Sequence, residues 1–226
     1  MPGLDDRIAS LGTGGGIALA VAVAILLGLR HATDPDHLTA LSTLVLADDE
    51  RGGARRAGRL GLAWGAGHAT TLVLLGLPVV LFHRLLPGAL QRTAEVAVGV
   101  VIVALAVRLL VRCRSGRLHP HGIGPNPPPQ LLGRSPAAAF GIGLVHGAGG
   151  SAGVGVLLIG AMPGHAVAAV ALVLFAGATA LSMALVSSAW GHALARSVVA
   201  SRLTTLAPAL GAASLAFGLW YGAAAI

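Results

Sequence analysis

The chain has 226 residues, 55% of them hydrophobic and only 10% charged, with a mean hydropathy of +0.83 and a net charge of +7. Soluble domains carry about 25% charged residues, so a water-facing surface cannot be built here and the composition points to an all-α integral membrane protein in a lipid bilayer. The basic residues are all arginine and sit in loops, which reads as positive-inside topology and not as nucleic-acid binding; a single cysteine, Cys113, excludes an intrachain disulfide and a thiol relay.

The opening residues, MPGLDDR, lack a basic n-region, and no small-residue cleavage site follows, so no cleaved signal peptide is expected. Six apolar stretches then reach the length of about 20 residues that a spanning helix needs. They run near Leu11 to Leu46, Arg59 to Phe82, Thr93 to Arg112, Pro136 to Ala161, Gly164 to Trp190 and Thr205 to Ile226. Stretches this long exclude the short alternating strands of a membrane barrel. The first is too long for one straight span: some 35 residues make a helix of about 50 Å, against roughly 30 Å of hydrocarbon. It carries its own breaking point. Asp34-Pro35 reads as a helix start, an N-cap followed by proline at the first helical position, and the residue before proline resists helical angles. A break from Thr33 to Pro35 is therefore expected.

Arginines set the orientation. Arg51, Arg55, Arg56 and Arg59 follow the first span, Arg112, Arg114, Arg117 and Arg134 the third, and Arg196 and Arg202 the fifth. The other side has only Arg7, Arg84 and Arg92. The arginine-rich loops are expected in the cytoplasm and both termini outside. A Pro-, His- and Arg-rich linker over 113–134 separates residues 1–112 from 135–226. The halves echo each other. GLRHA at Gly28 matches GLVHGA at Gly143, GHATTLVL at Gly67 matches GATALSMAL at Gly177, and Gly99 matches Gly211. With three spans each, two such repeats must be inverted, a common transporter plan with its site at the midplane.

The chemistry concentrates in RHATDPDH, Arg30 to His37. Each central aspartate costs roughly 3 kcal/mol on insertion scales, so such groups inside a membrane mark function. Imidazole with carboxylate suits divalent ions such as nickel, cobalt, zinc, copper and iron. On a straight helix His31, Asp34 and His37 share a face and Asp36 points away; a break relaxes that. His68 in WGAGHATT is a further candidate ligand, its flanking glycines allowing close approach to the first span, and His146 in GLVHGAGGSAGVG is a candidate from the second half. The five glycines after His146 in that stretch weaken the helix, so a second break is expected there. Thr70 and Thr71 are expected to bond only their own preceding carbonyls. His83, His165 and His192 fall at span ends and read as interfacial, and His119 and His121 as loop residues.

These residues resemble a known family. Arg-His-Ala-x-Asp-x-Asp-His and GHATT are similar to the motifs of the nickel/cobalt transporter family, in its short six-span, urease-accessory-like members. The resemblance implies transport of Ni2+ or Co2+ across a bacterial cytoplasmic membrane, with no prosthetic group. It implies His31, Asp36 and His37 as metal-site residues, with Asp34 and His68 taking part. Pro35 stands where that family often has alanine, and no acidic residue follows Glu95. The short HPHG loop favours uptake over efflux. The alternatives are efflux, or an accessory scaffold for metalloenzyme maturation that binds metal without moving it. A membrane enzyme is disfavoured: Ser151 in GGSAG has no histidine base in the last span, and no His-Glu-x-x-His motif occurs. Homo-oligomerisation is left open.

Overall fold

The computed structural model describes residues 14–46, 53–82, 87–115, 135–149, 159, 162, 164–196 and 203–226. His83, His119, His121, Ser151 and most of the 113–134 linker lie outside these residues. The described elements are helices: α1 Gly14–His31, α2 Pro35–Leu46, α3 Gly53–Phe82, α4 Gly88–Arg114, α5 Pro136–Ala148, α6 His165–Ala195 and α7 Leu203–Ala224. Four of them (α3, α4, α6 and α7) are long and apolar enough to cross a bilayer, and α1 with α2 makes a fifth if that bent pair counts as one span. The protein is thus a multi-pass membrane helical bundle. The stretch expected to span from Pro136 to Ala161 is helical for 13 residues, to Ala148. That is about 20 Å, short of a bilayer core, and residues 150–161 fall largely outside the described ones.

The first span is broken where proline dictates. α1 stops at His31, α2 starts at Pro35, and the two are bent by 49°. Asp34 takes the N-cap position through its carbonyl, which accepts the Leu38 N–H at 3.0 Å. Its carboxylate turns back to α1 instead of capping, accepting from His31 Nδ1 at 3.1 Å with Arg30 3.8 Å away.

Small residues determine how the helices pack, because van der Waals fit replaces the hydrophobic effect between helices in lipid. α3 and α6 run antiparallel. Gly58 lies against Ser188, Gly61 against Ser187, Gly65 against Ala180, and Gly191 against Ala57. α4 and α7 are antiparallel too, with Gly99 on Gly222, Gly218 on Ile102 and Val103, and Gly211 on Leu110. α1 reaches α6 through Gly28, which sits on the Phe175 carbonyl, and α5 reaches α3 through Gly143, which sits on the Trp64 carbonyl. A hydroxyl crosses each of these last two seams. Ser182 donates to the Leu29 carbonyl at 2.7 Å, and Thr71 to the Leu144 carbonyl at 2.9 Å. Thr70 bonds its own helix, to Ala66 at 2.8 Å, as expected; Thr71 keeps a long bond to its own Gly67 carbonyl at 3.4 Å and also reaches across. The glycines around His68 do not admit the first span, contrary to expectation. They serve other neighbours: Gly67 admits α5 at Phe140, and Gly65 admits α6.

Two apolar masses lie on either side of mid-depth. One gathers Ala40, Leu41, Leu44, Leu60, Trp64 and Met183; the other gathers Ala24, Leu72, Val80, Leu172 and Phe175. Leu109 and Cys113 near the end of α4 pack with Leu194 near the end of α6 and Ala207 near the start of α7. Arg55, Arg56, Arg59, Arg112, Arg114 and Arg196 consequently share one end of the bundle.

Candidate metal centre

Between those masses five polar side chains meet. α1 contributes His31 at its last residue, α2 contributes Asp36 and His37 in its first turn, α3 contributes His68, and α5 contributes His146 in its last turn. All are buried: His31 is 4% exposed, Asp36 3%, and His37, His68 and His146 0%. His68 is the sixteenth of the 30 residues of α3, about 22 Å from either helix end. The cluster therefore sits at mid-depth.

The break brings the set together. With α2 swung away from the α1 axis, Asp36 no longer points away from its neighbours. His31, His37 and His68 each offer a ligand atom within 4.8 Å of one another, and so do Asp36, His37 and His146. His37 belongs to both groups. Donors bound to one ion at about 2.1 Å lie roughly 3–4 Å apart. His31 Nε2 and His68 Nε2 are 3.2 Å apart, and His146 Nε2 and Asp36 Oδ2 3.4 Å. Asp34 is in neither group. It holds His31 by accepting from Nδ1, which leaves Nε2 facing the cluster, the way carboxylates orient metal-binding imidazoles. Asp36 does the same for His37, its Oδ1 accepting from Nδ1 at 3.1 Å.

A surplus of buried lone pairs and N–H groups is left over. His37 Nε2, His68 Nδ1 and His146 Nδ1 have no hydrogen-bond partner among the described residues, and Asp36 Oδ2 and His146 Nε2 face only each other, at 3.4 Å and without hydrogen-bond geometry. Buried polar groups are ordinarily satisfied, and each exception calls for an explanation. So many in one place, all of ligand type, form a set that a bound cation would satisfy. Four imidazoles and one carboxylate suit a borderline transition-metal dication better than magnesium or calcium, which take oxygen.

His165 and His192 lie exposed at the two ends of α6, away from the cluster. Motif reading passes over two aromatic neighbours. Trp64 stacks near His37 and His146, with ring centroids 5.7 and 5.5 Å away, and Phe175 lies 5.5 Å from His31. Trp64 is visible in WGAGHATT, one helical turn before His68; Phe175 has no such signal.

No family model matches the chain, and no solved structure matches it. Over 138 residues it is 28% identical to "Urease accessory protein UreH" of Bacillus sp. (strain TB-90), a match covering 58% of each chain. The chain is a relative of that protein. It spans little more than half the relative's length. The likeness agrees with the resemblance, drawn from RHATDPDH and GHATT, to the urease-accessory-like members of the nickel/cobalt transporter family.

Proposed function

We propose that the protein is a secondary transporter that carries Ni2+ or Co2+ across the bacterial cytoplasmic membrane, in the direction of uptake, and that it is not an enzyme. One observation carries this reading: an unsatisfied His/Asp cluster, fully buried at the mid-depth of a membrane bundle, on a broken helix. Broken helices at that depth are tolerated where they line a site, and transporters place their sites there. The ligands are His31, Asp36, His37, His68 and His146, with Asp34 orienting His31.

The bundle is read as two inverted three-helix repeats, 1–112 and 135–226. Supporting this, the α1–α6 seam has its counterpart in the α5–α3 seam. Gly28 on the Phe175 carbonyl corresponds to Gly143 on the Trp64 carbonyl, and the Ser182 to Leu29 bond corresponds to the Thr71 to Leu144 bond. His68 then corresponds to Thr179, one residue along from the pairing that the GHATT motif suggests. The arginine end faces the cytoplasm and both termini lie outside. Rocking of one repeat against the other exposes the site alternately to each side.

The test is radiolabelled nickel and cobalt flux into proteoliposomes, comparing wild type with His31→Ala and Asp36→Asn. Loss of flux in both variants is expected; unchanged flux in both would reject the site. The name of the relative favours a second reading, an accessory protein for urease-type metalloenzyme maturation. Metal binding by wild type with no flux would decide for it.

A further inference from the structure

We infer that Trp64 and Phe175 are the two gates of the buried cluster, Trp64 closing it toward the arginine-bearing end and Phe175 toward the opposite end. The inference rests on the transport reading for its meaning, but its geometry stands apart from it.

Both side chains are only 1% exposed, and both lie against ligand imidazoles. Trp64 covers His37 and His146, with ring centroids 5.7 and 5.5 Å away; Phe175 covers His31 at 5.5 Å. Their positions along the helices are opposed. Trp64 precedes His68 by four residues, and Phe175 precedes Thr179 by four. Because α3 and α6 are antiparallel, with Gly58 at Ser188 and Gly65 at Ala180, those two steps run in opposite directions. Each is one helical turn, about 6 Å. Trp64 thus lies about 16 Å from the start of α3, at the arginine end, and Phe175 about 15 Å from the start of α6, at the other. The ligand cluster is held between them.

The same backbone relation places both. Gly28 of α1 rests on the Phe175 carbonyl, and Gly143 of α5 rests on the Trp64 carbonyl. Each glycine lies three residues before a cluster histidine, His31 and His146 respectively. A movement of α1 against α6 therefore shifts Phe175 relative to His31, and a movement of α5 against α3 shifts Trp64 relative to His146. Two seams that slide separately, each carrying one large ring over the site, are what alternating exposure requires.

The difference between the rings adds a chemical asymmetry. Among the described residues Trp64 Nε1 is buried with no hydrogen-bond partner, and so are Ser187 Oγ and Trp190 Nε1, which lie further toward the arginine end. Beyond Phe175 the packing is apolar, through Leu172, Ala171, Ala168 and Leu72. Among the described residues, buried polar atoms without a partner thus follow the Trp64 side, whereas the Thr70 and Thr71 hydroxyls on the Phe175 side are already bonded to the Ala66 and Leu144 carbonyls.

The experiment places a cysteine at Ala32, buried at the break beside His31, in a Cys113→Ser background. A membrane-impermeant thiol reagent is then applied from one side in right-side-out cells and from the other in inverted vesicles. With both rings intact, labelling is slow from either side. Phe175→Ala is expected to raise the labelling rate at least tenfold from outside only, and Trp64→Ala at least tenfold from the cytoplasmic side only. Phe175→Leu and Trp64→Phe, which keep the fold and most of the bulk, are expected to stay near the starting rate. Equal acceleration from both sides, or none in either alanine variant with the protein still folded by size exclusion, overturns the assignment. Nickel flux measured on the same vesicles reports the transport reading independently. Gates with no flux would leave a closed binding site, and flux with no sided labelling would leave a transporter gated elsewhere.

Discussion

Gly147→Ala is a stringent test of how packing holds the site, because the new atom meets backbone. A Cβ at Gly147 would lie 2.5 Å from the His68 carbonyl oxygen and 3.0 Å from His68 Cα, where ordinary contact begins at 3.4 Å. A carbonyl in the middle of α3 cannot yield without breaking the helix, so α5 must move outward by roughly 1 Å. Overpacking of this kind costs about 1–3 kcal/mol. Alanine in place of glycine within a helix returns about 0.5–1 kcal/mol. The net expectation is a loss of about 1–2 kcal/mol, which lowers the melting temperature by several degrees for a chain of this size. The shift also carries His146 away from Asp36, now 3.4 Å distant. A misplacement of about 1 Å at a positioned site costs on the order of 100-fold, so nickel affinity should weaken 10- to 100-fold. Gly141→Ala, on the same helix, is the control: its Cβ meets nothing within 4 Å. It should gain about 0.5–1 kcal/mol from helix propensity and leave nickel affinity unchanged. Thermal unfolding in detergent and isothermal calorimetry with nickel read both quantities. If Gly147→Ala melts and binds like Gly141→Ala, the argument that close α5–α3 packing positions His146 is wrong.

Asp34→Asn should weaken nickel binding 10- to 100-fold while leaving the melting temperature within a few degrees, since Asp34 orients His31 without belonging to either donor group; an unchanged calorimetric affinity would remove it from the site's support. Thr71→Val and Ser182→Ala each delete one interhelical bond and should cost about 0.6 kcal/mol apiece, adding in the double variant because they lie on separate seams; a detergent unfolding series measures this. Imidazole and carboxylate take metal in their deprotonated forms, so binding to four histidines and one aspartate should release protons and weaken as pH falls. Calorimetry in two buffers of different ionisation enthalpy detects this, and identical heats in both would argue against the cluster as the binding site.

How much of this can be read in the sequence varies from residue to residue. The break at Asp34-Pro35 is legible because proline acts locally: it lacks an N–H and restricts its predecessor, and no tertiary contact is needed to foresee the result. The candidate ligands are legible because polar residues are costly in an apolar chain. Who faces whom is not legible. The glycines beside His68 announce a close approach, yet nothing local says that α5 and α6 make it and α1 does not. Thr71 has the same pattern as Thr70, and only the position of α5 decides that its hydroxyl crosses to Leu144. Asp34 and Asp36 are both carboxylates two residues apart. Which one enters a donor group depends on the 49° bend, a quantity no motif carries.

That bend also explains why one segment supplies so much of the cluster. A straight helix would present His31, Asp34 and His37 on one face, with the carboxylate flanked by two imidazoles and Asp36 turned outward. Ending α1 at His31 and restarting at Pro35 frees Asp34 to hold His31 from behind, while Asp36 moves inward to lie 3.4 Å from His146 of α5. On the proposed reading one aspartate would then position a ligand and the other serve as one, from a stretch of three residues. The second half has no such pair, since no acidic residue follows Glu95. On the inverted-repeat reading, Thr179 stands where His68 does, its hydroxyl donated to the Phe175 carbonyl at 2.8 Å instead of being offered to the cluster. On that reading a scaffold with matching seams carries an unequal set of candidate ligands, and the one cluster histidine from the second half, His146, is the side chain through which movement of α5 would be felt at a bound ion.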